Sequence, residues 1–217
     1  EKSLFDDFVQ PFQLDKGPLF RTKVVERNNY CLIFFDMHHI ISDGISFNLF
    51  LQEFCSLYNG IELKPIEAQF KEYSEWFNTL NLSDDRDFWI KTIGENIPVL
   101  NMPLDEKRPE VQSHSGKIIK QVMGINESNQ LRKLSKSTGA TEYMIFVSAL
   151  MVLLSKYSYQ DEIIVGSPIG GRIHKDTETM LGVFINTIPI KGSVKANITF
   201  REFLEEIKEY CIKAYQH

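Results

Sequence analysis

The stretch FDMHHIISDGIS, residues 35–46, decides how the rest of the chain is read. It closes an apolar run, YCLIFFDM, and carries two adjacent histidines, His38 and His39, into a short segment ending on Asp43-Gly44. At this chain's own residue frequencies the pattern HHxxxDG arises by chance with a probability on the order of 10⁻⁴, so it demands a chemical explanation. Neighbouring residues of an extended segment point to opposite faces. His38 and His39 therefore cannot both face one cavity unless the backbone turns between them, and one of the pair is expected to be structural. The other suits general-base work, because an imidazole titrates near neutrality. Asp43 stands where it can cap a following helix or pair with an arginine. Gly44 permits φ > 0 and close approach of a substrate, and its amide stands where a helix N-terminus donates to a developing oxyanion.

The plainest alternative is a strand end with satisfied histidines followed by an ordinary Asp-Gly turn. The doubled histidine and the strand-loop-helix setting argue against it. A zinc site built from His38, His39 and Asp43 lacks an HExxH partner, and His114 and His174 stand alone in polar loops, so no metal is expected. Ser42 belongs to no GxSxG elbow and reads as a loop residue. The glycine-rich stretch GSPIGGR, residues 166–172, follows a strand but lacks both the Lys-Ser/Thr of a P-loop and the GxGxxG order, and reads as a structural turn.

Outward from the motif, residues 20–26 and 30–37 flank Arg27-Asn28-Asn29 and predict a hairpin with a buried second strand. Phe47, Phe50, Leu51, Phe54, Leu57 and Tyr58 recur at helical spacing until Asn59-Gly60, a usual helix stop. Residues 70–95 predict two helices broken at residues 81–85. The prolines and glycine of residues 97–116 forbid regular structure and mark a connector. Beyond it the pattern predicts a strand over residues 117–123 and a helix after Asn126 with Leu131 and Leu134 inward. A long apolar helix introduced by Thr141 follows, then strands over 162–167 and 184–191. Thr199-Phe-Arg-Glu202 is a capping box opening a last helix that turns Phe203, Leu204, Ile207 and Cys211 to one face. This alternation is that of an α/β protein.

Composition bounds the rest. The chain has 217 residues, 43% of them hydrophobic, and a formal charge of −5 without a basic stripe, which argues against nucleic acid as a partner. Three separated cysteines, Cys31, Cys55 and Cys211, form no CxxC pair and fit a reducing, cytoplasmic setting. The longest apolar stretch, residues 143–154, falls short of the ~20 residues that cross a bilayer, so no membrane partner is expected. The chain opens without Met and closes inside an amphipathic helix, and both ends look cut.

The chain resembles the condensation domains of nonribosomal peptide synthetases, in the superfamily that includes chloramphenicol acetyltransferase. FDMHHIISDGIS carries the resemblance. YSEWF at residues 73–77, DFW at 87–89, LNMPLDEKRPEVQSHSG at 100–116, IIVGSPIGGR at 163–172 and LGVFINTIPIK at 181–191 follow in the family's order. The resemblance implies a two-lobed chloramphenicol acetyltransferase-like α/β fold, each lobe a mixed sheet with helices, incomplete here at both ends. Residues 1–97 would be the C-terminal part of the N-lobe, 98–116 the connector and 117–217 the N-terminal part of the C-lobe.

It further implies that the amine of a carrier-bound aminoacyl thioester attacks a carrier-bound acyl or peptidyl thioester. His39 corresponds to the active-site histidine, with His38, Asp43 and Gly44 supporting the motif. No cofactor is bound directly, since substrates ride on the 4′-phosphopantetheine of carrier proteins. The implied partners are donor and acceptor peptidyl carrier proteins and an adjacent adenylation domain. The family's arginine expected to pair with Asp43 would lie upstream of residue 1, leaving Arg21 and Arg27 as the arginines that precede Asp43 here. Ile45 stands where Trp is common. Epimerisation, acyl transfer from coenzyme A, and carrier docking without turnover are the alternatives that the same motif allows.

Overall fold

The structure is a computed structural model and describes residues 2–113 and 116–217, so His114 lies outside the described residues. The fold divides into two compact units, each made from two stretches of chain: Glu1–Leu80 with Pro168–Asn186, and Asn81–Ser167 with Thr187–His217.

The first unit holds α1 (Lys2–Phe8), β1 (Phe20–Glu26), β2 (Cys31–Met37), α2 (Gly44–Tyr58), α3 (Phe70–Phe77) and a 3₁₀ turn over Lys175–Thr179. β1 and β2 form an antiparallel ribbon in which Arg21 faces Asp36 and Phe20 faces Met37. Phe35 on β2 meets Phe50 and Phe54 of α2 at ring-centroid distances of 5.0 and 5.2 Å, while Phe34, on the opposite face, meets Phe8 of α1 at 5.6 Å. The second strand is only half-buried, with Cys31 and Ile33 exposed, rather than buried as its apolar run predicts. A ribbon of two strands has no flanking strands to cover it, and single helices cover each face only in part. α2 forms because Asp43 caps its first turn and its phenylalanines recur at helical spacing; it stops at Asn59, before Gly60 at φ +74°.

The second unit holds α4 (Ser83–Ile93), α5 (Ile125–Thr138), α6 (Glu142–Ser158), most of β3 (Glu162–Ile169) and β4 (Asn186–Ser193), and α7 (Phe200–Ala214). β3 pairs with β4. The break before α4 is residues 78–82 rather than 81–85, because Asp84 and Asp85 join the first turn of α4, where carboxylates complement the free N–H groups. Thr141 and Thr199 cap α6 and α7, the latter in the expected capping box with Glu202. The core is apolar and mostly aliphatic: Met144, Ile145, Val147 and Met151 of α6 and Phe203, Leu204, Ile207 and Cys211 of α7 are buried along with Ile163, Ile188 and Ile190 of the strands. Gly192 lets β4 approach this core, since a Cβ there would lie within 3 Å of Ile207 and Met151.

One expected element does not form. Residues 117–123 have neither helix nor strand, and Ile118, Ile119 and Val122 are 85%, 94% and 93% exposed. Their β-propensity finds no pairing strand among the described residues, and propensity without a ladder does not make a strand. The proline-rich connector is irregular throughout its described residues, as expected. No single helix is long and apolar enough to cross a membrane among the described residues.

Candidate active site

β2 ends at Met37 and the chain turns at once. The Ile41 N–H donates to the His38 carbonyl at 3.1 Å, and the Ile40 N–H donates to His38 Nδ1 at 2.9 Å. Because Nδ1 accepts, the neutral His38 ring carries its proton on Nε2. The ring is half-buried and meets Phe12 edge-on at 5.9 Å, and the His38 N–H donates to the Leu19 carbonyl. His39 sits in the turn itself and is exposed. The turn therefore separates the two imidazoles: His38 is tied to the backbone, and His39 is open to solvent.

Asp43 faces inward. Its Oδ1 accepts the Ser46 N–H at 2.7 Å, which makes it the N-cap of α2, and its Oδ2 accepts the Phe184 N–H at 3.1 Å. Arg172 Nη2 lies 3.3 Å from the same carboxylate and donates to Ser46 Oγ at 2.9 Å. Arg172 Nη1 donates to the carbonyls of Thr177 and, at 2.9 Å, Met180, and the guanidinium lies 4.1 Å from the centre of the Phe184 ring. Ser46 Oγ also donates to the Gly182 carbonyl at 2.7 Å and accepts the Gly182 N–H at 3.0 Å. Burial pushes the Asp43 carboxyl up, but the hydrogen bonds from Ser46 and Phe184 and the charge of Arg172 outweigh it, so its pKa falls below the ordinary value. Asp43 is thus a buried carboxylate with hydrogen bonds to both oxygens, and no proton carrier.

Arg172 supplies the partner of Asp43 that the sequence left open. The arginine comes from the glycine-rich loop downstream of the motif, and Arg21 pairs instead with Asp36. The geometry of that loop explains its composition: Gly171 sits at φ +61°, and a Cβ there would strike the Phe184 carbonyl. Gly44 has the helix-terminal amide expected of it but not the left-handed backbone. It is the first residue of α2, outside the left-handed region, and a Cβ there would meet open space. What Gly44 contributes is an N–H in the first helical turn, where such groups lack intrahelical partners.

Sequence reasoning missed Ser46, Arg172, Gly182 and Phe184. The available signals were a serine in the first turn after Asp-Gly and an arginine ending SPIGGR. Among the described residues no group of His, Cys, Asp and Glu could hold a metal ion.

The chain thus presents an HHxxxDG motif on an α/β fold, with its histidine pair split by a turn and its aspartate buried against Arg172. The chain belongs to the condensation-domain family, whose sequence profile matches residues 1–217. It is 42% identical to tyrocidine synthase 3 of Brevibacillus parabrevis over 224 aligned residues, covering 100% of this chain and 3% of that protein. It is 41% identical to bacitracin synthase 1 of Bacillus licheniformis, covering 97% of this chain and 4% of that one. Its fold matches a holo four-domain nonribosomal peptide synthetase bound to AMP and glycine at TM-score 0.87 and 27% identity, covering 100% of this chain and 17% of the other. The X-domain from teicoplanin biosynthesis matches at TM-score 0.85 and 22% identity over 96% of this chain and 50% of that one, a likeness of fold alone. The chain thus spans 3–4% of the two curated synthetases, 17% of the four-domain synthetase and about half of the X-domain structure.

Proposed function

We propose that this chain is the central part of a condensation domain that forms peptide bonds between two carrier-bound thioesters. The observation that carries the reading is the division of labour at the motif: His39 is exposed on its turn while Asp43 is buried as an ion-paired carboxylate. Asp43 serves the architecture, and His39 is the motif's group free to meet a substrate. The amine nitrogen of the acceptor attacks the donor thioester carbonyl, forming the C–N bond. The C–S bond then breaks, and the donor phosphopantetheine leaves as a thiol once the nitrogen has lost its proton. An α-amine has a reference pKa of ~7.7–8.0, so a useful fraction is already neutral and needs little activation. His39 accordingly orients the amine and accepts its proton after bond formation begins, with proximity supplying much of the rate.

In the same reading, residues 1–97 belong to one lobe, 98–116 to the connector and 117–217 to the other, a division along the sequence that differs from the compact units, where Pro168–Asn186 groups with Glu1–Leu80. The partners are donor and acceptor carrier proteins and a neighbouring adenylation domain, in the cytoplasm. Three free cysteines fit that setting. The test offers aminoacyl-carrier acceptor with acyl-carrier or acyl-coenzyme A donor to wild type and His39→Ala. Dipeptidyl carrier is expected from the carrier donor only, with a loss of about 10²–10⁴-fold in the variant. Condensation at wild-type rate by His39→Ala would sink the reading; consumption of acyl-coenzyme A would move it to another acyltransferase.

A further inference from the structure

The strand before the histidines carries an ion pair that this chemistry does not use. Arg21 on β1 lies directly opposite Asp36 on β2, and its Nε sits 3.0 Å from Asp36 Oδ2. The same guanidinium reaches the other way: Nη2 donates to the Gln10 carbonyl, and the central carbon lies 3.7 Å from the centre of the Phe12 ring. Phe12 in turn meets the His38 ring edge-on. Residues 10–12 have neither helix nor strand to hold them, so one side chain fastens this segment against β1.

We propose that Arg21 is a positioning residue for the histidine pair. By clamping Phe12 against His38 it fixes the rotamer and tautomer of His38, and with them the turn that presents His39. The coupling follows from the hydrogen bonds, because His38 Nδ1 accepts from Ile40 within the turn that the Ile41 N–H closes on the His38 carbonyl, so a ring that reorients removes the side-chain bond bracing the segment around His39. Arginine suits the position because a planar guanidinium stacks on the Phe12 ring face while donating along its edge to Gln10 and lying within ion-pair distance of Asp36. A lysine keeps the charge but not all three contacts. The pair is only half-buried and adds little stability by itself. What it contributes is geometry.

The test reads the tautomer of His38 directly, by long-range ¹H–¹⁵N spectra of the ¹⁵N-histidine-labelled full chain, with His38 assigned through its loss in His38→Gln. Wild type is expected to show His38 with its proton on Nε2 and Nδ1 as acceptor. In Arg21→Ala that signature gives way to exchange-averaged signals while far-ultraviolet circular dichroism is unchanged, and Arg21→Lys restores it only in part. Unaltered His38 signals in a folded Arg21→Ala overturn the proposal, and full restoration by lysine overturns the clamp. Should Arg21→Ala not fold, Phe12→Leu leaves the ion pair in place and must still disturb His38; if it does not, the proposal falls. A kinetic arm rests on the function proposed above: kcat for condensation falls about 10- to 100-fold in Arg21→Ala at nearly constant KM. A wild type that makes no peptide bond sinks that function and leaves the spectra to decide the role of Arg21.

Discussion

The two units are held together by opposite means. In the second, α6, α7, β3 and β4 close over an aliphatic core, with Met151, Ile190, Leu204 and Cys211 fully buried. In the first, the most buried groups near the motif are polar: Asp43, Ser46 and Thr177 are at most 2% exposed. Aliphatic packing is non-directional and loses energy gradually as volume is removed. A buried ion pair is directional, and removing one member leaves the other charge desolvated and unpaired. The unit that carries the histidines is therefore the more specified of the two and the more easily broken by a single polar change.

The largest expected effect tests that difference. Arg172→Ala leaves Asp43 buried without its cation and costs about 3–5 kcal/mol. In hydrogen exchange the loss concentrates in α2 and the ribbon, with α6 and α7 nearly unaffected; equal loss of protection in both units would end the contrast. The same pair gives the first unit an acid sensitivity. The folded-state pKa of Asp43 is lowered, so its ionisation stabilises the fold fully above the unfolded value, about pH 4, and the contribution disappears as pH falls through the lower folded value. Exchange protection in α2 is expected to fall in that window before protection in α7, and Asp43→Asn to flatten the dependence.

The next effect belongs to the aliphatic unit. Leu204→Ala removes a fully buried side chain facing the core and costs about 2–5 kcal/mol, spread over α6, α7 and the strands. Cys211 reports on it. Burial pushes this thiol up to about 11, only partly offset by a hydrogen bond with Tyr215, so it is both closed off and protonated. Iodoacetamide at neutral pH is expected to modify the exposed Cys31 and Cys55 in the native chain, and Cys211 only in Leu204→Ala or after unfolding. Labelling of Cys211 in native wild type at the rate of Cys31 would show that this core is open.

What was legible in the sequence follows the same division. Periodicity and caps are local, so α2, α6 and α7, the Thr199-Glu202 capping box and the inward set Phe203, Leu204, Ile207 and Cys211 were readable from spacing alone. That His38 and His39 would not face one cavity from an extended segment was readable, whereas the turn in which His39 stands was not. The partner of Asp43 was not: Arg172 lies 129 residues away, and nothing in local pattern measures that distance. Residues 117–123 failed for the converse reason, since a strand needs a neighbour that its own sequence cannot supply. A helix beginning at Gly44 and capped by Asp43 was legible from the Asp-Gly step and the phenylalanine spacing, while the left-handed backbone that a glycine permits is not used there.

The smallest effect isolates how much of the contrast is local. Asp43 and Thr199 do the same thing at the start of a helix: each accepts the amide hydrogen three residues on, from Ser46 and from Glu202. Thr199 is exposed and its hydrogen bonds among the described residues stay within the first turn of α7, whereas Asp43 also binds Phe184 and Arg172. Thr199→Ala is expected to cost about 1 kcal/mol, the ordinary value of a cap. Asp43→Ala loses a cap of the same kind and strands Arg172 as well, so the difference between the two substitutions measures the tertiary network apart from the helix end. Denaturation midpoints of both variants give that difference directly. If Asp43→Ala costs no more than Thr199→Ala, the Arg172 network adds nothing beyond capping, and the first unit is held like any other helix on a ribbon.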